Sequence, residues 1–303
     1  MFKDLKVYPP SSILEYDICI VGSGPAGISL AKKLLDTNLK IAILESGGIE
    51  PESEYQELNI GENSGPSYLS LDSSRLRCFG GAGKLWAGVC APFKKDEFYK
   101  KSYVSLSGWP ISLSSLDSYY KEAAEILGIS YEKFYNKSLL GNTFKEKSFY
   151  ELNKTKTFLT SNVFQISNIN HRDLSEKYKS EFKTSRNIDV IFHSTVTEIN
   201  LTENSKTVQS VSVADLFGNQ STVKSKIFIL ACGALENPRI LLSSNKLLKN
   251  GVGNNYGFVG TCFMSHPGIK DVAEIYKSSS GKCISKDNNN HKVVLEVSTN
   301  ERN

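Results

Sequence analysis

The chain predicts an α/β fold built on a doubly wound parallel sheet, with an antiparallel β-meander beside it and part of a second, α+β domain. Three observations carry this. A strand–turn–helix–strand pattern fills residues 16–46, and a second strand–turn–helix closes at residues 226–242. Between them, residues 189–224 show the short alternating runs of strands.

The first pattern reads YDICIVGSGPAGISLAKKLLDTNLKIAILES. The apolar run Ile18–Val21 enters a turn holding Gly22, Gly24 and Gly27. Ile28, Leu30, Ala31, Leu34 and Leu35 then mark one helical face, and a second apolar run, Ile41–Leu44, ends at Glu45. Strand, G-x-G-x-x-G, helix, strand and acid together form the Rossmann-like dinucleotide fingerprint. Gly22 allows the tight turn. Gly24 lets the backbone approach a pyrophosphate, and Gly27 lets the helix pack closely on the strand. The helix N-terminus offers unpaired N–H groups and the positive end of its dipole to phosphates. Glu45 suits ribose hydroxyls, and its charge repels a 2′-phosphate. The fingerprint leaves FAD and NAD both open, and its bland competitor is an ordinary strand–turn–helix.

The remaining elements follow in order. Residues 1–15 read as a lead-in arm. Residues 47–75 are rich in Gly, Ser, Glu and Pro with little periodicity, a length of irregular chain that usually serves a function or wraps another element. RLRCFGGAGKLWAGVCAPF, residues 75–93, sets Gly80, Gly81, Gly83 and Gly88 around Leu85 and Trp86. It reads either as a flexible surface loop or as a loop lying flat against a planar ligand. GWPIS at 108–112 introduces a helix. Ser114 and Asp117 form its expected capping box, Leu116, Tyr119, Tyr120, Ala123, Ala124 and Leu127 its core stripe, and Gly128 its stop. Residues 130–186, polar and aromatic, fit an inserted domain or cap.

Strand signals return at Asp189–His193, Val196–Leu201 and Val208–Ala214. A turn at Phe217–Asn219 and a resumption at Thr222–Lys224 complete the meander. KIFILA, residues 226–231, is the continuous apolar run of a buried parallel strand. Asn237 then serves as N-cap and Pro238 as first helical residue, with Gly233 near the dinucleotide. Residues 251–268 form another glycine-rich loop. Val272–Tyr276 and Val293–Val297 read as strands, and 287–290 as a turn.

Composition narrows the function. The 303 residues suffice for two domains with real cores, and 40% hydrophobic with 22% charged residues is ordinary for a soluble globular protein. The net charge of +4 comes from scattered lysines, which argues against a nucleic-acid partner. The first 15 residues hold no apolar signal core, and no apolar run reaches a membrane span. The 6 cysteines form no C-x-x-C pair, as expected for free thiols in a reducing cytoplasm, and no metal site is expected.

Five stretches together resemble one family, the glucose–methanol–choline (GMC) oxidoreductases, which are FAD-dependent flavoenzymes. They are GSGPAG with Glu45, FGGAGKLWAG, the segment at 107–128, ILACGALENPRILLSS, and GVGNNYGFVGTCFMSHP, in the family's order over almost the whole chain. The closest flavour is the bacterial branch acting on sugars, polyols and related alcohols. The resemblance implies FAD. Gly22, Ser23, Gly24, Pro25 and Ala26, with Gly27, would hold its pyrophosphate, and Glu45, followed by Ser46, its adenosine ribose. Gly80, Gly81, Gly83, Lys84, Leu85, Trp86 and Ala87 would run along the flavin. Val196 would touch the adenine through its backbone, and Ala231, Cys232 and Gly233 would line the adenosine side. It also implies an FAD-binding domain at 1–110 and 187–262, a cap or substrate-domain insertion at 111–186, and the start of a substrate domain at 263–303. The implied reaction removes a proton from a CH–OH donor, a small alcohol or sugar, while hydride passes to flavin N5. No motif singles out an electron acceptor.

Two departures accompany the resemblance. Gly83 stands where the family usually has a small hydroxyl residue. Leu85 stands where some relatives attach the flavin through a histidine, so the expected FAD is non-covalent. Family members also run much longer, with the catalytic histidine in a C-terminal segment. None of the 4 histidines, His171, His193, His266 and His291, is expected to be that base. The chain therefore reads as the truncated FAD-binding part. The alternative is a catalytically incomplete fragment, or one half of a split enzyme completed by a C-terminal chain. A simple NAD-dependent dehydrogenase fits less well, given the long insertion and the lack of a second G-x-G-x-x-G.

Overall fold

The parallel sheet organises the first of two units, as the computed structural model shows. Residues 1–65, 68–136, 159–264, 284–286 and 292–299 are described. The strands are β1 (Phe2–Asp4), β2 (Ser12–Val21), β3 (Ile41–Leu44), β4 (Val89–Cys90), β5 (Leu159–Ile166) and β6 (Ile188–Phe192). They continue as β7 (Thr195–Leu201), β8 (Val208–Ala214), β9 (Gln220–Leu230), β10 (Ile284–Lys286) and β11 (Lys292–Thr299). One unit comprises Met1–Leu85 and Asp173–Ser265. The other holds Trp86–Arg172 with the C-terminal strands.

In the first unit the strand order is β1-β6-β3-β2-β9-β8-β7. β1, β6, β3, β2 and β9 run parallel, and β9, β8 and β7 are antiparallel. Every residue of β3 and β6 is buried, as befits parallel strands covered on both faces. The helix Pro25–Lys33 presents Gly27, Ile28 and Ala31 to the interior. Val21, Leu44, Val196, Ile199, Val211, Val213 and Ile240 share one core cluster, so the meander and the helix Gly233–Ser243 pack into the same interior as the sheet. Phe79 packs edge-on against Phe182 of the helix Leu174–Thr184 and against Phe192 of β6. A mixed α/β fold with a parallel sheet and a meander is thus what the sequence led one to expect.

Local details differ from expectation. The lead-in arm belongs to the sheet: Phe2–Asp4 pairs with Val190–Phe192, and β2 begins at Ser12. Burial of Leu5 drives this attachment, and a salt bridge from Lys3 to Asp189 accompanies it. The two strands expected at Thr222–Lys224 and Lys226–Ala231 are one. β9 pairs with β8 through Gln220–Lys224 and with β2 through Ser221–Leu230. Its apolar end is only partly buried, with Ile227 53% exposed. The helix expected from Pro238 starts at Gly233, and Pro238 lies inside it. Cys232, not Asn237, is the N-cap; Asn237 lies inside the helix, and its Oδ1 accepts the Cys232 N–H at 2.9 Å.

The second unit contains an antiparallel sheet in the order β10-β11-β5-β4. Gln165 of β5 is fully buried. Its side chain accepts the Ser130 N–H at 3.0 Å and donates to the Ser130 carbonyl at 2.6 Å, tying the sheet to the chain after the helix Asp117–Leu127. Gly128 ends that helix at φ +63, as its sequence predicts. The expected capping box does not form, because a 3₁₀ turn, Leu113–Leu116, leads directly into the helix. Asp117 instead pairs with Lys121 and accepts the Tyr131 hydroxyl. The stripe is core only in part: Ala124 is buried and Tyr119 exposed. The strand expected at Val293–Val297 is present within β11. The expectations at 265–268, 272–276 and 287–290 lie outside the described residues.

Gly27 fixes how closely the first helix approaches β2. A Cβ there would sit 2.1 Å from the Gly22 carbonyl oxygen. Gly27→Ala is therefore expected to cost about 3 kcal/mol or more through backbone displacement, read as a fall in the urea midpoint at unchanged m-value.

Candidate functional site

The carboxyl ends of β2, β3 and β9 open onto a cavity of about 530 Å³. In the sheet β2 lies between β3, reached from it through the first helix, and β9, which arrives on the other side by way of β8. That crevice is where open α/β sheets bind ligands.

Gly22 adopts φ +100, and a Cβ on it would meet the Ala231 carbonyl oxygen at 2.8 Å, so only glycine fits between the two turns. Gly24 differs. A Cβ there would meet nothing nearer than the Ala231 oxygen, at 4.0 Å, and would occupy the cavity itself. Pro25 opens the helix at its first position, where a missing N–H costs nothing. Ser23, Gly24, Pro25 and Ala26 thus present a helix N-terminus to the cavity.

Glu45 directly follows β3 and is buried. One carboxylate oxygen accepts the Ser23 N–H at 3.1 Å and the Ser23 hydroxyl, and the other accepts the Gly47 N–H at 3.0 Å. Burial pushes its carboxyl above the ordinary range, and these hydrogen bonds, with the Arg77 charge, only partly offset that.

A second carboxylate, Glu236 in the first turns of the helix Gly233–Ser243, gathers three arginines. It pairs with Arg77 at 3.0 Å, with Arg239 at 2.8 Å and with Arg75. Burial alone would push Glu236 up, but Arg77, Arg239 and Arg75 outweigh it and hold the carboxyl below its ordinary value. Arg77 also donates to Asn59 Oδ1 at 2.8 Å and to Ser46 Oγ at 3.0 Å. The ion cluster therefore staples the irregular segment after β3 to the helix after β9.

Of the residues singled out by sequence, Gly22, Ser23, Gly24, Pro25, Ala26, Glu45, Ser46, Gly81, Val196, Ala231, Cys232 and Gly233 are brought together on this cavity. Gly27 lies behind it, against Gly22. Gly80 packs on Ser175, and Gly83 lies so close to the Pro25 ring that a Cβ would meet it at 2.8 Å. A hydroxyl-bearing residue at that position would force a shift. Lys84 pairs with Glu50, and Leu85 is half exposed. Trp86 and Ala87 belong to the second unit, where the Trp86 indole donates to the Arg172 carbonyl at 3.0 Å and Arg172 donates to the Ala87 carbonyl at 3.2 Å. Arg75, Arg77, Asn59, Thr195 and Glu236 were not foreseen. Their one signal is the placement of two arginines beside the apolar Cys78-Phe79, where charge is uncommon without a partner.

Among the described residues no histidine lines this cavity. His193 lies between Asp4, at 2.8 Å, and Glu52, at 2.9 Å, and stacks on Tyr55. His171 packs against Gly128, and His266 and His291 fall outside the described residues. Among the described residues no group of three or more His, Cys, Asp or Glu could hold a metal ion, and no helix is long and apolar enough to cross a membrane.

The chain is similar to several known proteins. The family model for GMC oxidoreductase matches residues 158–268. The 2-methyl-1,2-propanediol dehydrogenase of Mycolicibacterium austroafricanum is 23% identical over 318 residues, covering 88% of this chain and 57% of that protein. Among solved structures, formate oxidase superposes with a TM-score of 0.51 at 17% identity, over 78% of this chain and 48% of its own. Pyridoxine 4-oxidase from Mesorbium loti gives 0.49 at 18% identity, over 75% and 51%. The chain spans about half the length of the relatives it matches.

Removing Glu236 strands buried guanidinium groups, so Glu236→Ala is expected to cost about 3–5 kcal/mol. The pH dependence has a definite sign. A carboxyl held below its ordinary 4.5 in the folded state stabilises the fold above that pH, and the contribution is lost as pH falls through the depressed value. Glu45, held above its ordinary value, works the other way: its contribution is largest in acid and fades as pH rises. Urea midpoints measured from about pH 3 to 7 should show the gap between wild type and Glu236→Gln narrowing toward acid.

Proposed function

We propose that this chain is the FAD-binding part of a GMC-type oxidoreductase acting on the CH–OH group of a sugar, polyol or other alcohol, a reading supported by the family model, the curated relative and the fold. The observation that carries this reading is the cavity at the sheet's switch point, with a bare Gly24 cradle at a helix N-terminus on one side and Glu45 on the other. Its size falls in the range of cofactor sites.

In this reading Gly22–Gly27 and the helix N-terminus bind the pyrophosphate, and Glu45 orients the adenosine ribose. Val196, Ala231, Cys232 and Gly233 border the adenosine, and Gly80–Ala87 serves the flavin end. Bound FAD supplies the acceptor for the hydride that leaves the alcohol carbon. Burial pushes the Cys232 thiol up to about 12, so it remains protonated beside the cofactor and does not compete as a nucleophile. Leu85, with no nucleophilic atom, supports non-covalent attachment. We assign 1–110 and 187–262 to the FAD-binding domain, 111–186 to the cap and 263–303 to the start of the substrate domain. The free thiols of Cys19, Cys78, Cys90, Cys232 and Cys262 support a cytoplasmic location.

The placement of His193 favours a second reading. It is engaged by Asp4 and Glu52 and does not line the cavity, so this stretch would hold the cofactor while the proton acceptor comes from a complementing C-terminal chain.

Reconstitution with FAD distinguishes these readings from a chain that binds no flavin. The expected outcome is flavin absorbance that co-elutes with the chain and is released intact by acid. No FAD uptake would sink both readings. Gly24→Val should abolish uptake while changing stability by no more than about 0.5 kcal/mol, because its side chain enters the cavity rather than the core. Bleaching of the bound flavin by an alcohol donor supports the first reading. Bleaching only after a C-terminal chain is added supports the second.

A further inference from the structure

Ser46 and Thr195 both border the cavity, with their hydroxyl oxygens 2.7 Å apart. Ser46 Oγ also accepts an N–H of Arg77 at 3.0 Å. A guanidinium only donates, so that bond consumes no hydroxyl hydrogen. The Ser46–Thr195 bond consumes one of the two available. One hydroxyl hydrogen is left over whichever way the pair is oriented, and the residue carrying it lines the cavity. Arg77 cannot readily turn away, since Asn59 and Glu236 hold the same guanidinium.

The neighbouring residue, Glu45, offers the complementary group. An ionised carboxylate only accepts, and the two oxygens of Glu45 have about four acceptor directions, of which Ser23 and Gly47 take three. A donor and an acceptor therefore stand next to each other on one wall. A vicinal diol matches that pair, because each of its hydroxyls both donates and accepts.

We propose that Ser46 and Thr195 form a shared hydroxyl donor for the ribose diol of the cofactor's adenosine half, donating to one ribose oxygen while Glu45 accepts from the diol. The proposal rests on the FAD reading above. It has a signature that a packing role lacks. Without the Ser46 hydroxyl, Thr195 keeps its hydrogen for the ligand. Without the Thr195 hydroxyl, Ser46 does the same with Arg77 still behind it. Only the double substitution removes the donor.

The test is calorimetric titration of the whole chain with ADP and with 2′,3′-dideoxy-ADP, using wild type, Ser46→Ala, Thr195→Val and the double variant. ADP affinity should fall by no more than about threefold in either single variant and by about tenfold in the double. Dideoxy-ADP should bind all four proteins alike, which separates a lost donor from a damaged fold. The proposal fails if one single variant already shows the full loss, if the double variant binds ADP as wild type does, or if dideoxy-ADP loses affinity in parallel. A wild-type chain that takes up neither ADP nor FAD overturns the cofactor reading and this proposal together. A wild type that binds while the double variant is unimpaired overturns this proposal alone.

Discussion

The parallel pairing of β2 with β9 is the contact on which the rest depends. It sets Ile18–Val21 beside Ile227–Leu230, residues far apart in the chain, and carries the two strand ends to the same level. The Ala231 N–H then donates to the Val21 carbonyl at 2.7 Å, and the Gly22 turn lies directly against Ala231. Were that register to slip by one residue, the side chains would exchange faces and the two turns would no longer meet. The cavity exists because two strand–turn–helix units end together.

Charge is organised around the same place in two ways. Glu45 sits among backbone donors with a raised pKa, while Glu236 sits among arginines with a lowered one. One carboxylate lines the cavity and keeps an acceptor direction that the chain does not fill. The other is saturated by the chain and holds it together. Glu45 is the more deeply buried of the two, and the partners differ in the same sense: neutral N–H and O–H groups in one case, guanidinium ions in the other.

Much of this was legible because its chemistry is local. Gly22, Gly24 and Gly27 have separate duties that a short spacing encodes, and each lies where that spacing requires. Gly128 ends its helix in the left-handed conformation for the same reason. Asn237-Pro238 shows the limit of local reading. The pair has the chemistry of a helix start, yet the strand had to turn at once, so the helix begins at Gly233 and Asn237 reaches backward. Ile227 belongs to an apolar run like that of β3 but is half exposed, since exposure depends on neighbours that the run does not name. The Arg75–Arg77–Glu236 cluster joins residues some 160 positions apart and has no period to betray it. The attachment of Phe2–Asp4 to β6 was hidden likewise.

The dual pairing of β9 bears on how the chain acquires its site during synthesis. The glycine turn emerges from the ribosome early, but its counterpart at Ala231 follows only after the meander has been made. Because β9 pairs with its chain neighbour β8 through Gln220–Lys224 and with β2 through Ser221–Leu230, a short-range hairpin can deliver the distant strand to its place. Until then the edge of β2 stands open and apolar, a stretch on which chaperones and misassembly compete. The turn between β8 and β9 thereby governs when the walls of the cavity first come together.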